Sequence, residues 1–179
     1  MNLLALALRV HVPHSLKKQK LRELFEATAT AFGRPMPHLE DLSFDECLRR
    51  YARFTKEEVE RRIRDGEDTA EAEERLYRYA YRLGAEIRER LRLTNPDDAL
   101  SVGTVLYKAL GIDFRASAAG DVTINSCYFS AFYSLDVCCV MSSLDEGIAA
   151  GLTGGRTLRF SRRITDGHPS CVAVLEPKG

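Results

Sequence analysis

The sequence predicts an α+β fold, with a helical N-terminal half followed by a small antiparallel sheet and one short helix. Three observations carry this expectation. Apolar residues recur at helical spacing as far as Leu110. From Ile112 onward, short alternating runs broken by Gly- and Asp-bearing turns replace them. Helices grouped first and strands grouped afterwards form the α+β order rather than the alternating one. Residues 1–111 are therefore read as a helical region and 112–179 as a sheet region. No long linker divides them, so one integrated domain is expected.

Met1 to Leu8 are almost wholly apolar, but Arg9 and His11 interrupt the run. The stretch lacks the basic start and cleavage pattern of a secretory signal, and it falls well short of the roughly 20 residues that span a bilayer. It is expected to pack into the core. Leu21, Leu24, Phe25, Thr28 and Phe32 mark the first helix, which Gly33 ends ahead of Pro35 and Pro37. Ser43 with Glu46 and Thr55 with Glu58 both have capping-box spacing, and they predict two short helices parting near Phe54. A longer helix is expected after Asp65-Gly66, with Asp68 at its start and Leu76, Tyr79, Ala80, Leu83, Ile87 and Leu91 as its apolar stripe. Asn95-Pro96-Asp97-Asp98 starts another, which turns Leu100, Gly103, Leu106, Tyr107 and Leu110 inward and ends at Gly111.

Strands are expected at 114–118 and 122–126, joined by a turn at Ala119-Gly120-Asp121. A short helix follows at 142–152, capped by Ser142 or Ser143 and broken by Gly154-Gly155. Further strands are expected at 156–164 and 171–175.

Hydrophobic residues make up 45% of the chain and charged residues 29%, with zero formal net charge and a pI near 6.9. That balance can bury a core, and it lacks the basic excess of a nucleic-acid binder. Neither nucleic acid nor membrane is an expected partner, and the expected compartment is the cytoplasm.

Four of the five cysteines lie between Cys127 and Cys171. In a reducing compartment such thiols are usually free, ligating or catalytic. Cys127 closes a predicted strand, Cys138 and Cys139 precede the predicted short helix, and Cys171 opens the last strand. If they converge, Cys127, Cys138, Cys139 and Cys171 could hold Zn or Fe, although no C-x-x-C spacing supports it. If they do not, each is a small hydrophobe in the core, the reading given to Cys47.

Asp145 is either an acid complementing the helix dipole or a base beside the thiols, with Glu146 competing for either role. The strand from Arg156 to Arg163 is the basic concentration of this half. Strict alternation puts Arg162 on a face with Leu158 and Phe160, and Arg163 on the other with Arg159. An arginine facing a pocket could clamp a carboxylate. His168 is a turn residue, more simply solvated than catalytic. No nucleophile elbow, P-loop or dinucleotide fingerprint is present in the sequence.

The order Cys127, Cys138-Cys139, Asp145 on a short helix, an Arg-bearing strand, Gly167 and Cys171 resembles the L-2-amino-thiazoline-4-carboxylic acid hydrolase-like family. It is similar, more distantly, to the cysteine-bearing domains of the 4-vinyl reductase type. The likeness covers roughly residues 100–175 and departs in the middle. The family pattern puts one cysteine about a helical turn from the acid, whereas Cys138 and Cys139 stand seven and six residues ahead of it.

The resemblance implies hydrolytic opening of a small cyclic amidine-like ring bearing a carboxylate. A thiolate at Cys127 or Cys171, or an activated water, would attack the C=N carbon. Asp145 would manage the proton, and Arg162 or Arg163 would hold the carboxylate. Two other functions compete with this one. The first is a non-catalytic module binding a small ligand or a metal, its helical half serving as a lid or as the surface of a homodimer. The second is a protein-interaction module whose cysteines are only core.

Overall fold

Four helices precede the first strand in a computed structural model that describes residues 14–117 and 119–177. The apolar stretch Met1–Leu8 lies outside the described residues. Helix α1 (His14–Ala31) buries Leu21, Phe25 and Thr28, and Gly33 at φ +65° turns the chain away after it. Helix α2 (Phe44–Arg64) begins with the expected capping box, in which Ser43 Oγ accepts from Glu46 N and the Glu46 carboxylate accepts from Ser43 N.

The second predicted box does not start a helix. Residues 44–64 form one continuous helix, because the buried stripe Phe44, Leu48, Tyr51, Thr55 and Val59 runs unbroken past Phe54. Thr55 turns its hydroxyl back to the Tyr51 carbonyl, 2.9 Å away, instead of capping.

Helix α3 (Ala70–Leu91) buries Ala72, Leu76, Ala80 and Gly84. Thr69 is its capping residue, but it is Asp68 whose carboxylate accepts from Ala70 N at 2.9 Å. Helix α4 (Pro96–Ala109) is capped by Asn95, whose Oδ1 accepts from Asp98 N, and Gly111 at φ +73° leads out of it into the sheet.

The strands β1 (Ile112–Ala116), β2 (Asp121–Cys127), β3 (Arg156–Arg162) and β4 (Cys171–Pro177) pair in the order β1-β2-β4-β3, every neighbour antiparallel. Their inner face buries Phe114, Val122, Ile124, Leu158, Ala173 and Leu175 against Tyr107 and Ala149. Arg115, Asn125, Arg159 and Val174 lie exposed on the sheet.

The helix between β2 and β3 is longer than its sequence prediction. α5 spans Leu135–Thr153, its N-cap is Ser134 rather than Ser142 or Ser143, and Cys138 and Cys139 sit inside it. The reason is packing: Val137, Val140 and Met141 are buried and extend the apolar face one and a half turns upstream.

α3 and α5 cross at backbone contact. A Cβ on Gly84 would lie 2.6 Å from the Ile148 carbonyl oxygen, and one on Gly147 or Gly151 would run into the carbonyls of Tyr77 and Tyr81. Glycine is required there by the closeness of the two helices. The crossing presses the helical half onto the α5 face opposite the sheet's core, and so fixes the height at which α5 presents its polar residues.

Candidate functional site

One face of α5 carries Cys138, Met141, Ser142, Asp145 and Ile148, successive members of a helical stripe. Across from it β2 ends at Cys127, β4 begins at Cys171, and Tyr51 and Tyr107 arrive from α2 and α4. Together they line a cavity of about 130 Å³, whose remaining lining is mostly Leu, Ile and Phe. Most of its wall is apolar, with a few convergent polar groups, which is the usual make-up of a small-molecule site.

Asp145 is the electrostatic centre. Burial pushes its carboxyl up from 3.8 to about 6, against a hydrogen bond from Tyr107 and the charge of Arg163, while Glu146 pushes the same way as burial. The Tyr107 hydroxyl donates to Asp145 Oδ1 at 2.8 Å. Its ring stacks on Phe114 with centroids 4.6 Å apart, which fixes the direction of that donor. Burial and the Asp145 anion hold the Tyr107 phenol well above its ordinary range, so it stays protonated and can only donate.

Arg163 reaches the cavity because β3 is irregular. The register of β3 on β4 shifts between Phe160 and Arg162, so Ser161 is an extra residue and the alternation reverses beyond it. Ser161 and Arg162 are both exposed, while Arg163 turns inward beside Phe160. Its Nη1 donates to Ser142 Oγ at 2.5 Å and to Cys138 Sγ at 3.7 Å. The guanidinium lies 4.3 Å over the Phe160 ring. No ion pair holds it among the described residues, so its charge is free for an anion within the cavity.

Burial keeps two of the cavity thiols, Cys127 and Cys171, protonated rather than poised as nucleophiles. Burial pushes Cys127 up to about 12, the Asp145 charge adds to this, and the amides of Phe129 and Ser130 only partly oppose it. Cys171 is also raised by burial, though Ile164 N donates to its sulfur at 3.3 Å.

Cys138 and Cys139 cannot both face the cavity, since consecutive helical residues diverge by roughly 100°. Cys138 lines it and Cys139 is exposed. Among the described residues no three His, Cys, Asp or Glu side chains form a group able to hold a metal. The set Cys127, Cys138, Cys139 and Cys171 therefore does not close into a ligand cluster for Zn or Fe.

Of the other candidates, His168 is exposed outside the cavity with Asp166 3.7 Å away, and Cys47 is buried in the helical core. Sequence reasoning missed the phenols. Tyr107 was legible as an inward residue of α4, but its bond to Asp145 was not. Tyr51 and Tyr133 also line the cavity, held by Thr28 (3.1 Å) and Thr55 (2.6 Å). A helical wheel drawn from Ser134 rather than Ser142 would have put Cys138, Ser142 and Asp145 on one face. Nothing local marks the tyrosines.

In comparisons with known proteins, no protein-family model matches the chain, and no curated protein matches its sequence.

Proposed function

We propose that the protein is a small-molecule hydrolase acting on a compact cyclic amidine that bears a carboxylate, of the thiazoline carboxylate type, with Asp145 as the general base. The observation that carries this reading is the Asp145 carboxyl at about 6 inside a mostly apolar cavity that also holds an arginine with no carboxylate partner among the described residues. A base whose pKa lies near the working pH is ionised enough to accept a proton and basic enough to keep it.

Arg163 takes the substrate carboxylate, its Nη1 already directed into the cavity by Ser142. Asp145 removes a proton from water, and the water oxygen adds to the C=N carbon. The C=N nitrogen takes that proton back from Asp145 as the tetrahedral adduct forms. The again ionised Asp145 then accepts the adduct's hydroxyl proton and passes it to the ring nitrogen, which leaves as an amine as the carbon–nitrogen bond breaks and the carbonyl forms. Tyr107 orients the carboxylate throughout and withholds its own proton.

The raised Cys127 and Cys171 thiols favour attack by water over attack by sulfur, because the thiolate fraction near neutral pH is small. Cys127 and Cys171 then shape the cavity wall rather than bond to the substrate. Arg162, exposed on β3, is left without a part in this chemistry.

The mostly apolar lining favours a second reading, a non-catalytic module that binds a small ligand in the same cavity. Purified protein incubated with 2-amino-thiazoline-4-carboxylate separates the two by mass spectrometry of the small molecule. Ring-opened product that is lost in Asp145→Asn supports the hydrolase. Saturable binding without product supports the module and ends the hydrolase reading.

A further inference from the structure

A second cavity, of about 250 Å³, lies between α1, α3 and α4, on the far side of a wall made by Leu24, Leu106, Leu110 and Ile148. Those four residues line the Asp145 cavity as well, so the two spaces are separated by a single layer of side chains. Aliphatic groups such as Leu83, Ile87 and Val105 make up most of the rest. Among the described residues only Lys17, Lys20 and Arg90 bring polar side chains to the lining, and all three are cationic. Lys20 is paired with Glu23 at 2.5 Å, whereas no ion pair engages Lys17 or Arg90 among the described residues.

An apolar cavity of this size gives water almost no hydrogen-bond partners, so hydration of its interior is weak. A ligand that fits it has an apolar body and one anionic end. The body replaces lost dispersion contacts along the aliphatic walls, and the anion answers two basic side chains that have no carboxylate partner among the described residues. A neutral hydrocarbon would leave those charges unanswered, and a polyanion would have no polar interior to enter.

We propose that this cavity binds a medium-chain fatty acid, its acyl chain between α1, α3 and α4 and its carboxylate at Lys17 and Arg90. The site shares no reacting group with Asp145, so it stands or falls independently of the hydrolase reading.

Titration calorimetry with decanoate tests it. Saturable one-to-one binding is expected, weaker by about tenfold or more for decanol and for the Lys17→Glu, Arg90→Glu double variant, both of which remove the ionic match. Val105→Trp fills the cavity and should abolish binding, and Ala109→Phe is the second filling variant should the first not fold. Asp145→Asn lines only the first cavity and should bind decanoate as the parent does.

Absence of binding, or equal binding of decanol, would overturn the proposal. So would loss in Asp145→Asn with retention in Val105→Trp, which would move the chain to the first cavity. A dimer that Val105→Trp dissociates and decanoate leaves intact would also overturn it, by giving the surface to a second copy.

Discussion

Replacing Asp145 with asparagine should make the protein more stable at neutral pH while removing its proposed activity. The carboxyl has its pKa raised from 3.8 in the unfolded chain to about 6 in the folded one. Between those values the folded protein keeps a proton that the unfolded chain has already released. Stability from this group is therefore fully present below about pH 4, falls as pH rises through about 6, and is level above it. The ionised carboxylate costs the fold about 3 kcal/mol at pH 7, at 1.36 kcal/mol for each unit of displacement.

Asparagine is isosteric, never ionises, and can still accept from the Tyr107 hydroxyl. Its amide nitrogen faces a mostly apolar wall in place of a carboxylate oxygen, a desolvation cost that returns about 1–2 kcal/mol of the gain. Asp145→Asn should thus be about 1–2 kcal/mol more stable than the parent at pH 7 and about 1 kcal/mol less stable at pH 4. Urea unfolding at several pH values measures this directly, because every other titrating group is common to both proteins and cancels in the difference. A difference that does not change between pH 4 and 7, or one that favours the parent at pH 7, would refute the argument that burial dominates at Asp145.

Gly151→Ala should destabilise the fold by about 1–3 kcal/mol or more in the same unfolding assay, because its methyl group meets the Tyr81 carbonyl across the α3–α5 crossing. Thr55→Val keeps shape but removes the hydroxyl that meets Tyr133 at 2.6 Å, and should cost about 1–2 kcal/mol. Iodoacetamide at pH 8 should label exposed Cys139 well before Cys127, whose thiol is pushed up to about 12; mass mapping that finds Cys127 among the first labelled would contradict its protonated state. Arg163→Met should raise KM for a carboxylate substrate by about tenfold or more with a smaller change in kcat, as expected for lost binding of a group that does not react.

The order of elements could be read from the chain because each start signal is local. Ser43, Asn95, Gly33 and Gly111 act through neighbouring backbone groups, and each does in the structure what its spacing predicts. Thr55 shows where local signals end. Its spacing to Glu58 is that of a capping box, but the apolar stripe on either side continues, and burial outweighs a cap. The start of α5 failed for the same reason, since Ser142 is a good cap by type and a buried interior residue in fact.

The site was legible in part. Cys127, Asp145 and Cys171 stand at a strand end, on a helix face and at a strand start, as read from the sequence, but that they line one cavity was left open there. The choice between Arg162 and Arg163 was not legible, because it depends on a one-residue bulge that no local residue announces. Tyr51 and Tyr107 come from two helices and Tyr133 from the loop before α5, and they meet only through tertiary packing. The charge of Asp145, set by that packing, could not be read from its neighbours in sequence.

The proposed reaction depends above all on Asp145 as a base that works from its ionised form. The direct measurement is the pH dependence of kcat/KM for opening of 2-amino-thiazoline-4-carboxylate by the parent protein, with Asp145→Asn alongside. The account predicts a rate that rises to a plateau through an apparent pKa near 6, and a loss of about a hundredfold or more in Asp145→Asn at every pH. Turnover retained in Asp145→Asn, or a parent profile flat from pH 5 to 8, would contradict it.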